Sequence, residues 1–350
     1  QELAELSRGP TFRKIEIASK PQHGVLSPDG TTLAFASRGS LWLVPIHGRV
    51  DRYIAGEPVR LTEPMGVRGI ANIGNSLAWS GNGAWIAFNT TPDEGPREIH
   101  LISSAGGETR QVPGIPWEGG SLRQGQISLS KDGRTLAFIH SDSLGRSEES
   151  SGERTPVLLY TVPVEGGEAV QMASPQNGLA FEEMAPAYSP DGRFLAFARR
   201  IEVDNPETPS YQQWIRPVDG ETPILVADSI RVRYPAVWAP DSRQLAFIRE
   251  SDPGDVGGQE VWVVRIAKDG RPEGEPRVFS LPQIGLVISG WTPEDELAVF
   301  MYNETRQALY SVPVEGGRAV QITPNGYVFH PRWMPDGENI VFRGVDPCLL

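Results

Sequence analysis

The chain has 350 residues, 39% of them hydrophobic, with 38 glycines and 31 prolines, so it can form a core but is too rich in turn residues for a mainly helical protein. The formal net charge of −12 argues against nonspecific binding to nucleic acid or anionic lipid, because both attract basic surfaces. A single cysteine, Cys348, cannot form an internal disulfide bond, and its role as a tether or a buried side chain stays open. No apolar run is long enough to predict a transmembrane helix.

The N-terminal segment, residues 1–22, precedes a series of repeats. Residues 11–17 alternate apolar and polar side chains, which predicts an amphipathic strand at about 11–18. The chain starts with glutamine rather than methionine, which is compatible with removal of a signal peptide or with trimming.

Seven copies of one short phrase follow, each with a Pro-Asp-Gly-like turn and then a strand such as Leu-Ala-Phe. The copies begin at Ser27, Ser80, Ser130, Ser189, Ala239, Thr292 and Met334. Their starts lie 42 to 59 residues apart, and a period of this size indicates one repeated supersecondary unit. We therefore predict a single domain over residues 1–350, with repeats at about 23–344.

The fourth copy shows the predicted unit most clearly. Short strands are expected at 185–188, 194–198, 213–218 and 223–226, with a turn at 189–192 whose proline, aspartate and glycine each suit their turn position. Third strands are predicted at 41–44, 98–101, 158–161, 260–263 and 308–311, and fourth strands at 59–62, 169–172 and 319–322. Four short antiparallel strands per repeat are typical of a β-propeller blade, so the fold class is all-β.

A large residue precedes the turn in every copy, namely Leu26, Trp79, Leu129, Tyr188, Trp238, Trp291 and Trp333. We expect these side chains to pack between adjacent blades, with ligand contact as the alternative. The seventh copy has its first strand at 329–333 and its second at 339–342, and the open edge of this pair needs a partner. We expect the N-terminal strand to complete that blade and close a ring of seven blades; six blades with one degenerate copy is the alternative.

The PDG-x-x-LAF phrase and the Gly-Gly turns that follow it, such as VPVEGGEAVQ from Val162 and VPVEGGRAVQ from Val312, resemble the TolB-like family of propellers, whose repeat is also called PD40 or WD40-like. The resemblance extends from about residue 22 to residue 344 and implies a fold far more firmly than a function. TolB itself has an additional N-terminal α/β domain, for which the residues before Ser27 are too few, so the resemblance is to the family and not to TolB itself.

Motifs for catalysis or metal binding are missing from the sequence. The G-x-S-x-G elbow of α/β-hydrolases does not occur, and residues outside the repeats are too few for a hydrolase domain. Five histidines occur singly at His23, His47, His100, His140 and His330, with His23 and His330 the best pair for one site. The turn aspartates are explained as turn caps rather than calcium ligands. We therefore predict no catalytic residue, metal or cofactor.

Long, acidic connections between second and third strands occur in the third, fourth and fifth copies and predict a partner-binding rim. The rim residues are Asp142, Glu148, Glu149, Glu153, Glu202, Asp204, Glu207, Glu250, Asp252 and Asp255. A second candidate set precedes the inner strands and is expected to surround the channel mouth. It comprises Arg68, Trp117, Glu182, Glu183, Arg233, Tyr234, Tyr327 and His330.

The function expected from these features is noncatalytic protein binding or scaffolding, as an accessory subunit of an extracytoplasmic or membrane-associated complex. The family resemblance implies a periplasmic or secreted bacterial protein. The alternatives are an enzyme at the channel mouth, of the lyase or glycan-active type, and a propeller that binds peptide or carbohydrate. No nucleic-acid partner is expected from the net charge of −12.

Overall fold

A computed structural model describes residues 23–29, 31–47, 54–55, 57–65, 77–90, 98–115, 121–141, 157–172, 183–201, 210–220, 222–230, 236–250, 259–281, 285–291, 296–302, 307–314, 320–321, 328–333 and 340–344. All regular secondary structure in these ranges is β-strand, and they include no helix that could cross a bilayer. The predicted closing strand at 11–18 lies outside the described residues.

The strands form seven antiparallel sheets in chain order, each matching one copy of the repeat. The first sheet has five strands, β1 (His23–Leu26), β2 (Thr32–Ser37), β3 (Ser40–His47), β4 (Ile54–Ala55) and β5 (Val59–Arg60). The second has β6 (Leu77–Trp79), β7 (Trp85–Thr90), β8 (Glu98–Ser103) and β9 (Arg110–Gln111). The third has β10 (Ser121–Leu129), β11 (Thr135–Ser141), β12 (Val157–Pro163) and β13 (Val170–Gln171).

The remaining sheets repeat this order. The fourth has β14 (Glu183–Tyr188), β15 (Phe194–Ile201), β16 (Ser210–Pro217) and β17 (Ile224–Ile230). The fifth has β18 (Val237–Trp238), β19 (Gln244–Glu250), β20 (Gln259–Ile266) and β21 (Pro272–Leu281). The sixth has β22 (Gly285–Trp291), β23 (Leu297–Tyr302), β24 (Gln307–Val312) and β25 (Val320–Gln321), and the seventh pairs β26 (Val328–Trp333) with β27 (Ile340–Gly344).

The predicted third strands all coincide with observed strands, with 213–218 extending one residue beyond the end of β16, whereas most fourth strands are shorter than predicted. In the first sheet the chain returns to β3 twice, because β4 pairs with the end of β3 and β5 pairs with its middle. The additional strand β4 was not predicted. The first strand of each sheet contacts that of a neighbouring sheet in several places, and β26 contacts both β22 and β1.

The turns between first and second strands are held by their own side chains. In the fourth sheet the Ser189 hydroxyl donates to Asp191 Oδ1 at 2.7 Å, and the same oxygen accepts the backbone N–H of Arg193 at 3.0 Å. Ser189 Oγ in turn accepts the backbone N–H of Phe194 at 3.0 Å. The same three bonds recur in the first three sheets, at Ser27 with Asp29, Ser80 with Asn82 and Ser130 with Asp132. The predicted capping role of the turn aspartates is therefore confirmed in these sheets.

The phenylalanine of each Leu-Ala-Phe strand is the centre of its sheet. Phe35, Phe88, Phe138, Phe197 and Phe247 are almost completely buried. Four of them stack on the aromatic ring directly opposite on the third strand, with centroids 5.7 to 6.4 Å apart, in the pairs Phe35–Trp42, Phe88–His100, Phe138–Tyr160 and Phe247–Trp262. Burial of such rings is the largest apolar contribution to the core.

Tryptophans at the ends of first strands connect neighbouring sheets. Trp79 Nε1 donates to the backbone carbonyl of Val25 at 3.2 Å, Trp238 Nε1 to that of Ala187 at 3.0 Å, and Trp291 Nε1 to that of Val237 at 3.1 Å. Each acceptor lies on the first strand of the preceding sheet. The predicted packing between repeats thus includes a hydrogen bond that the sequence did not reveal.

Replacing Trp238 with phenylalanine is expected to lower the free energy of unfolding by about 1–2 kcal/mol, because the carbonyl of Ala187 loses its donor while the aromatic packing against Phe194 is largely kept. Trp262→Phe is the matched control, since Trp262 Nε1 donates to Glu260 within one strand and not across a sheet boundary. Urea unfolding of both variants measures the difference. An equal loss in the two variants would contradict the role of Trp238 in joining sheets.

Candidate functional site

The connections between second and third strands differ strongly among the sheets. Arg38 and Gly39, with φ of 50° and 77°, form a two-residue hairpin between β2 and β3, whereas the corresponding connections of the third, fourth and fifth sheets run over 142–156, 202–209 and 251–258. Two adjacent residues with positive φ are the signature of a type I′ hairpin. The first connection thus has two residues, whereas those of the third, fourth and fifth sheets have fifteen, eight and eight.

The predicted rim residues belong to these long connections. Glu250 is the last residue of β19. The other nine lie outside the described residues, namely Asp142, Glu148, Glu149, Glu153, Glu202, Asp204, Glu207, Asp252 and Asp255. Their use by a partner stays a prediction.

Six of the predicted channel-mouth residues lie outside the described residues, namely Arg68, Trp117, Glu182, Arg233, Tyr234 and Tyr327. His330 lies in β26. Glu183 is described in full and begins β14. Its side chain has no exposed surface. The carboxylate points into the contact between the third and fourth sheets, and a place for Glu183 at a channel mouth stays a prediction.

The carboxylate of Glu183 is bound by both of those sheets. Oε2 accepts the backbone N–H of Leu159 in β12 at 2.9 Å, and Oε1 accepts Nη2 of Arg199 in β15 at 2.9 Å. Burial raises the pKa of this carboxyl above its usual value, while the Leu159 N–H and the Arg199 guanidinium oppose the rise. Glu183 is thus a structural ion-pair partner that joins two sheets.

Arginines stack on tryptophans near the same strand ends in the fourth and fifth sheets. The guanidinium carbon of Arg199 lies 4.9 Å from the centre of the Trp214 ring, and that of Arg249 lies 5.1 Å from the centre of the Trp262 ring. Such contacts hold a guanidinium in a fixed orientation. Both arginines belong to strands, Arg199 to β15 and Arg249 to β19.

Polar side chains two residues earlier on the third strand fix these rings. Trp214 Nε1 donates to Gln212 Oε1 at 3.1 Å, and Trp262 Nε1 donates to Glu260 Oε2 at 2.9 Å. The signal that could have found this arrangement is the shared spacing of a polar residue and an aromatic ring two positions later on the third strand. It places charged and hydrogen-bonding groups near the ends of the strands from which the long connections start.

Within the ranges that the structure describes, no group of three His, Cys, Asp or Glu side chains could hold a metal ion. His100 is engaged by the carboxylate of Glu98 at 3.0 Å and stacks on Phe88, which accounts for its position.

The known proteins that resemble this chain in sequence match only part of it. No protein-family model matches the chain. An 88-residue stretch is 34% identical to the uncharacterized peptidase YuxL of Bacillus subtilis and covers 25% of this chain and 11% of that protein. A 208-residue stretch is 26% identical to the uncharacterized protein Atu1656 of Agrobacterium fabrum and covers 58% of this chain and 57% of that protein. The chain therefore matches less than two thirds of either relative.

Among solved structures, a puromycin-hydrolyzing peptidase of Mycobacterium tuberculosis is similar, with a TM-score of 0.51 and 15% identity over 88% of this chain and 50% of that chain. A putative TolB from Agrobacterium tumefaciens is also similar, with a TM-score of 0.46 and 21% identity over 76% of this chain and 82% of that chain. At such identities a likeness shows the fold alone. Together with the repeated four-stranded sheets, the likeness to the mycobacterial peptidase supports a fold of the β-propeller class.

Proposed function

We propose that this chain is a noncatalytic β-propeller that binds a protein partner through one face. This face, called the 2–3 face, carries the connections 38–39, 91–97, 142–156, 202–209 and 251–258. The observation that carries the proposal is the asymmetry of these connections, which have two residues in the first sheet, seven in the second, fifteen in the third and eight each in the fourth and fifth. Long connections on a rigid scaffold are where binding usually occurs.

The opposite face, called the turn face, carries the Pro-Asp-Gly-like turns and is similar from sheet to sheet. Its side chains are used internally, as the Ser–Asp pairs of the turns show. Repetition of one structural solution supports a scaffold role for that face. The differences among repeats, which a specific partner requires, are concentrated on the 2–3 face.

The partner expected has a basic or mixed surface, because the connections 142–156, 202–209 and 251–258 contain nine acidic and two basic residues. The Arg–Trp pairs at Arg199 and Arg249 add oriented cations beneath them. We place the protein in an extracytoplasmic or membrane-associated complex, in the periplasm or secreted, as the TolB-like resemblance implies. A closed ring of seven blades is part of this proposal, and the contacts of β26 with both β22 and β1 support it.

Charge reversal on the rim tests the partner-binding role. Replacing Glu148, Glu149 and Glu153 together with lysine is expected to weaken capture of the partner from the native host by at least about tenfold, because steering and contact charges are reversed. Matched reversal of Glu108, Glu273 and Glu275, three exposed glutamates away from the 2–3 face, should leave capture unchanged. Equal capture by the rim variant and by the wild-type chain, with both folded, would contradict the proposal.

A second candidate function follows from the relatives. The peptidase YuxL shares 34% identity over 88 residues, and the chain covers only 50% of the mycobacterial puromycin-hydrolyzing peptidase. We infer as the alternative that this propeller is the noncatalytic part of a longer peptidase.

Assays with fluorogenic peptide substrates distinguish the two candidates. The second candidate predicts peptide hydrolysis by the native polypeptide purified from its host and no hydrolysis by residues 1–350 alone. Absence of hydrolysis by the native protein, under conditions where it is folded, would contradict the peptidase candidate and leave the binding proposal standing.

A further inference from the structure

A cavity of about 480 Å³ lies between the first and second sheets on the turn face. Its wall includes the indole of Trp79 and the aliphatic side chain of Leu43, with Asp29, Asn82, Thr32 and Ser104 as polar groups. The volume lies within the range of about 300–1,000 Å³ that is usual for small-molecule sites. The cavity is separate from the 2–3 face.

The corresponding junctions between other pairs of sheets show why the junction of the first and second sheets is open. In the junction of the fourth and fifth sheets, Phe194 stacks on Trp238 with centroids 6.1 Å apart, and Ile266 packs in the same buried cluster. The strand registers make Thr32 the counterpart of Phe194, and Ser104 the counterpart of Ile266. Two apolar groups that fill the later junction are therefore replaced by two hydroxyls beside Trp79.

The junction of the second and third sheets is also filled. There Trp85 occupies the position of Thr32 and packs with Leu129 and Val164. A Cβ added at Gly133 of this junction would meet Trp85 Cδ1 at 2.8 Å. At the equivalent Gly83, which lines the cavity, the nearest atom would be Pro28 Cδ at 3.9 Å, so the space is open by this measure too.

The groups in the cavity have complementary chemistry. Trp79 is only half-buried, whereas its counterpart Trp238 is buried. The Ser27 hydroxyl lowers the pKa of Asp29, so this carboxylate is an anionic acceptor at neutral pH. The Thr32 hydroxyl can donate and accept hydrogen bonds, whereas the Ser104 hydroxyl donates to the backbone carbonyl of Gly83 at 2.9 Å and offers its oxygen as an acceptor. The Asn82 amide is engaged by the bonds of its own turn.

We propose that the cavity between the first and second sheets binds a pyranose sugar unit. The apolar C–H face of the ring lies on the indole of Trp79, and its hydroxyls donate to the carboxylate of Asp29 and to the Ser104 oxygen and exchange hydrogen bonds with the Thr32 hydroxyl. A quaternary ammonium ion fits less well, because it has no donor or acceptor for the hydroxyls and usually requires several aromatic walls.

Saturation-transfer NMR and calorimetry with the 350-residue chain test this site, with glucose, galactose and N-acetylglucosamine as sugar probes and choline as the cation probe. At least one sugar is expected to bind with a Kd of about 1 mM. Thr32→Phe and Ser104→Ile, which copy the residues of the filled junction, are each expected to weaken binding at least about tenfold. Both variants reproduce side chains that the same fold already holds at Phe194 and Ile266, and thermal melting verifies that each is folded.

Asp29→Asn removes the charge and keeps the turn, since Asn82 makes the equivalent turn bonds in the second sheet. It is expected to weaken sugar binding about tenfold, whereas the matched Asp132→Asn leaves binding unchanged. Failure of all three sugars to bind at about 10 mM, unchanged binding in both filling variants, or binding of choline alone would each overturn the proposal. Loss of partner capture in the rim variant leaves the sugar site unaffected, so the two proposals fail independently.

Discussion

Replacing Glu183 with alanine is expected to lower the free energy of unfolding by about 3–5 kcal/mol, because it removes the buried carboxylate that forms an ion pair with Arg199. The Arg199 side chain is only 13% exposed, and the backbone N–H of Leu159 would also lose its acceptor. Few single substitutions on the surface of a protein have an effect of this size. Chemical denaturation in urea, followed by tryptophan fluorescence, measures it.

Glu165→Ala is the matched control. Glu165 makes a bidentate ion pair with Arg110 at 2.7 and 2.9 Å, but its side chain is 71% exposed, so little stability should be lost. The double replacement of Glu183 and Arg199 by leucine and methionine is expected to recover much of the loss, because no buried charge then remains unpaired. If Glu183→Ala and Glu165→Ala prove equally harmful, burial does not govern the effect.

Replacing Gly114 with alanine is expected to destabilise the protein by about 4 kcal/mol, which places it among the most damaging single substitutions. Gly114 has a φ of 77°, and a Cβ added there would lie 1.9 Å from the backbone oxygen of Gly167. Because the obstacle is backbone and not a flexible side chain, the second and third sheets would have to separate. Thermal and urea unfolding measure the loss.

Gly83→Ala separates backbone strain from collision. Its φ of 71° is nearly the same as that of Gly114, but its added Cβ would meet nothing nearer than 3.9 Å. A cost of about 1 kcal/mol is expected from the left-handed conformation alone. Similar losses at the two glycines would show that the close approach to Gly167 is not what matters.

Local chemistry made most of the architecture predictable. The turn at Ser189 follows from residues within five positions of one another, and the same holds for the alternation that defines the strands. Third strands were located well because they are constrained twice. One edge pairs with the Leu-Ala-Phe strand, and the side chains pack against the neighbouring sheet. Three of the four predicted fourth strands were overestimated because they lie at the outer edge, where residues such as Val59 and Val170 stay exposed, whereas β17 is longer than predicted.

The contacts between repeats could not be read from one repeat. The environment of Glu183 depends on Leu159, which is 24 residues away, and the partner of Trp238 lies 51 residues before it. The cavity beside Trp79 becomes visible only when junctions are compared in register, since threonine at position 32 is unremarkable in its own strand. The predicted rim residues belong to long connections. The length of a connection predicts that its residues are exposed, but it does not predict how they are arranged.

The tryptophan bonds between sheets have a consequence for how such a chain can grow. Each donor is a side chain of the later sheet, and each acceptor is a main-chain oxygen, at Val25, Ala187 or Val237. A main-chain acceptor exists whatever residue occupies the position. A newly duplicated repeat would therefore carry its own tryptophan donor and meet a main-chain acceptor on the preceding repeat, so that no second mutation is needed. Lineages with this device can change their number of repeats while preserving the contacts that hold consecutive repeats together.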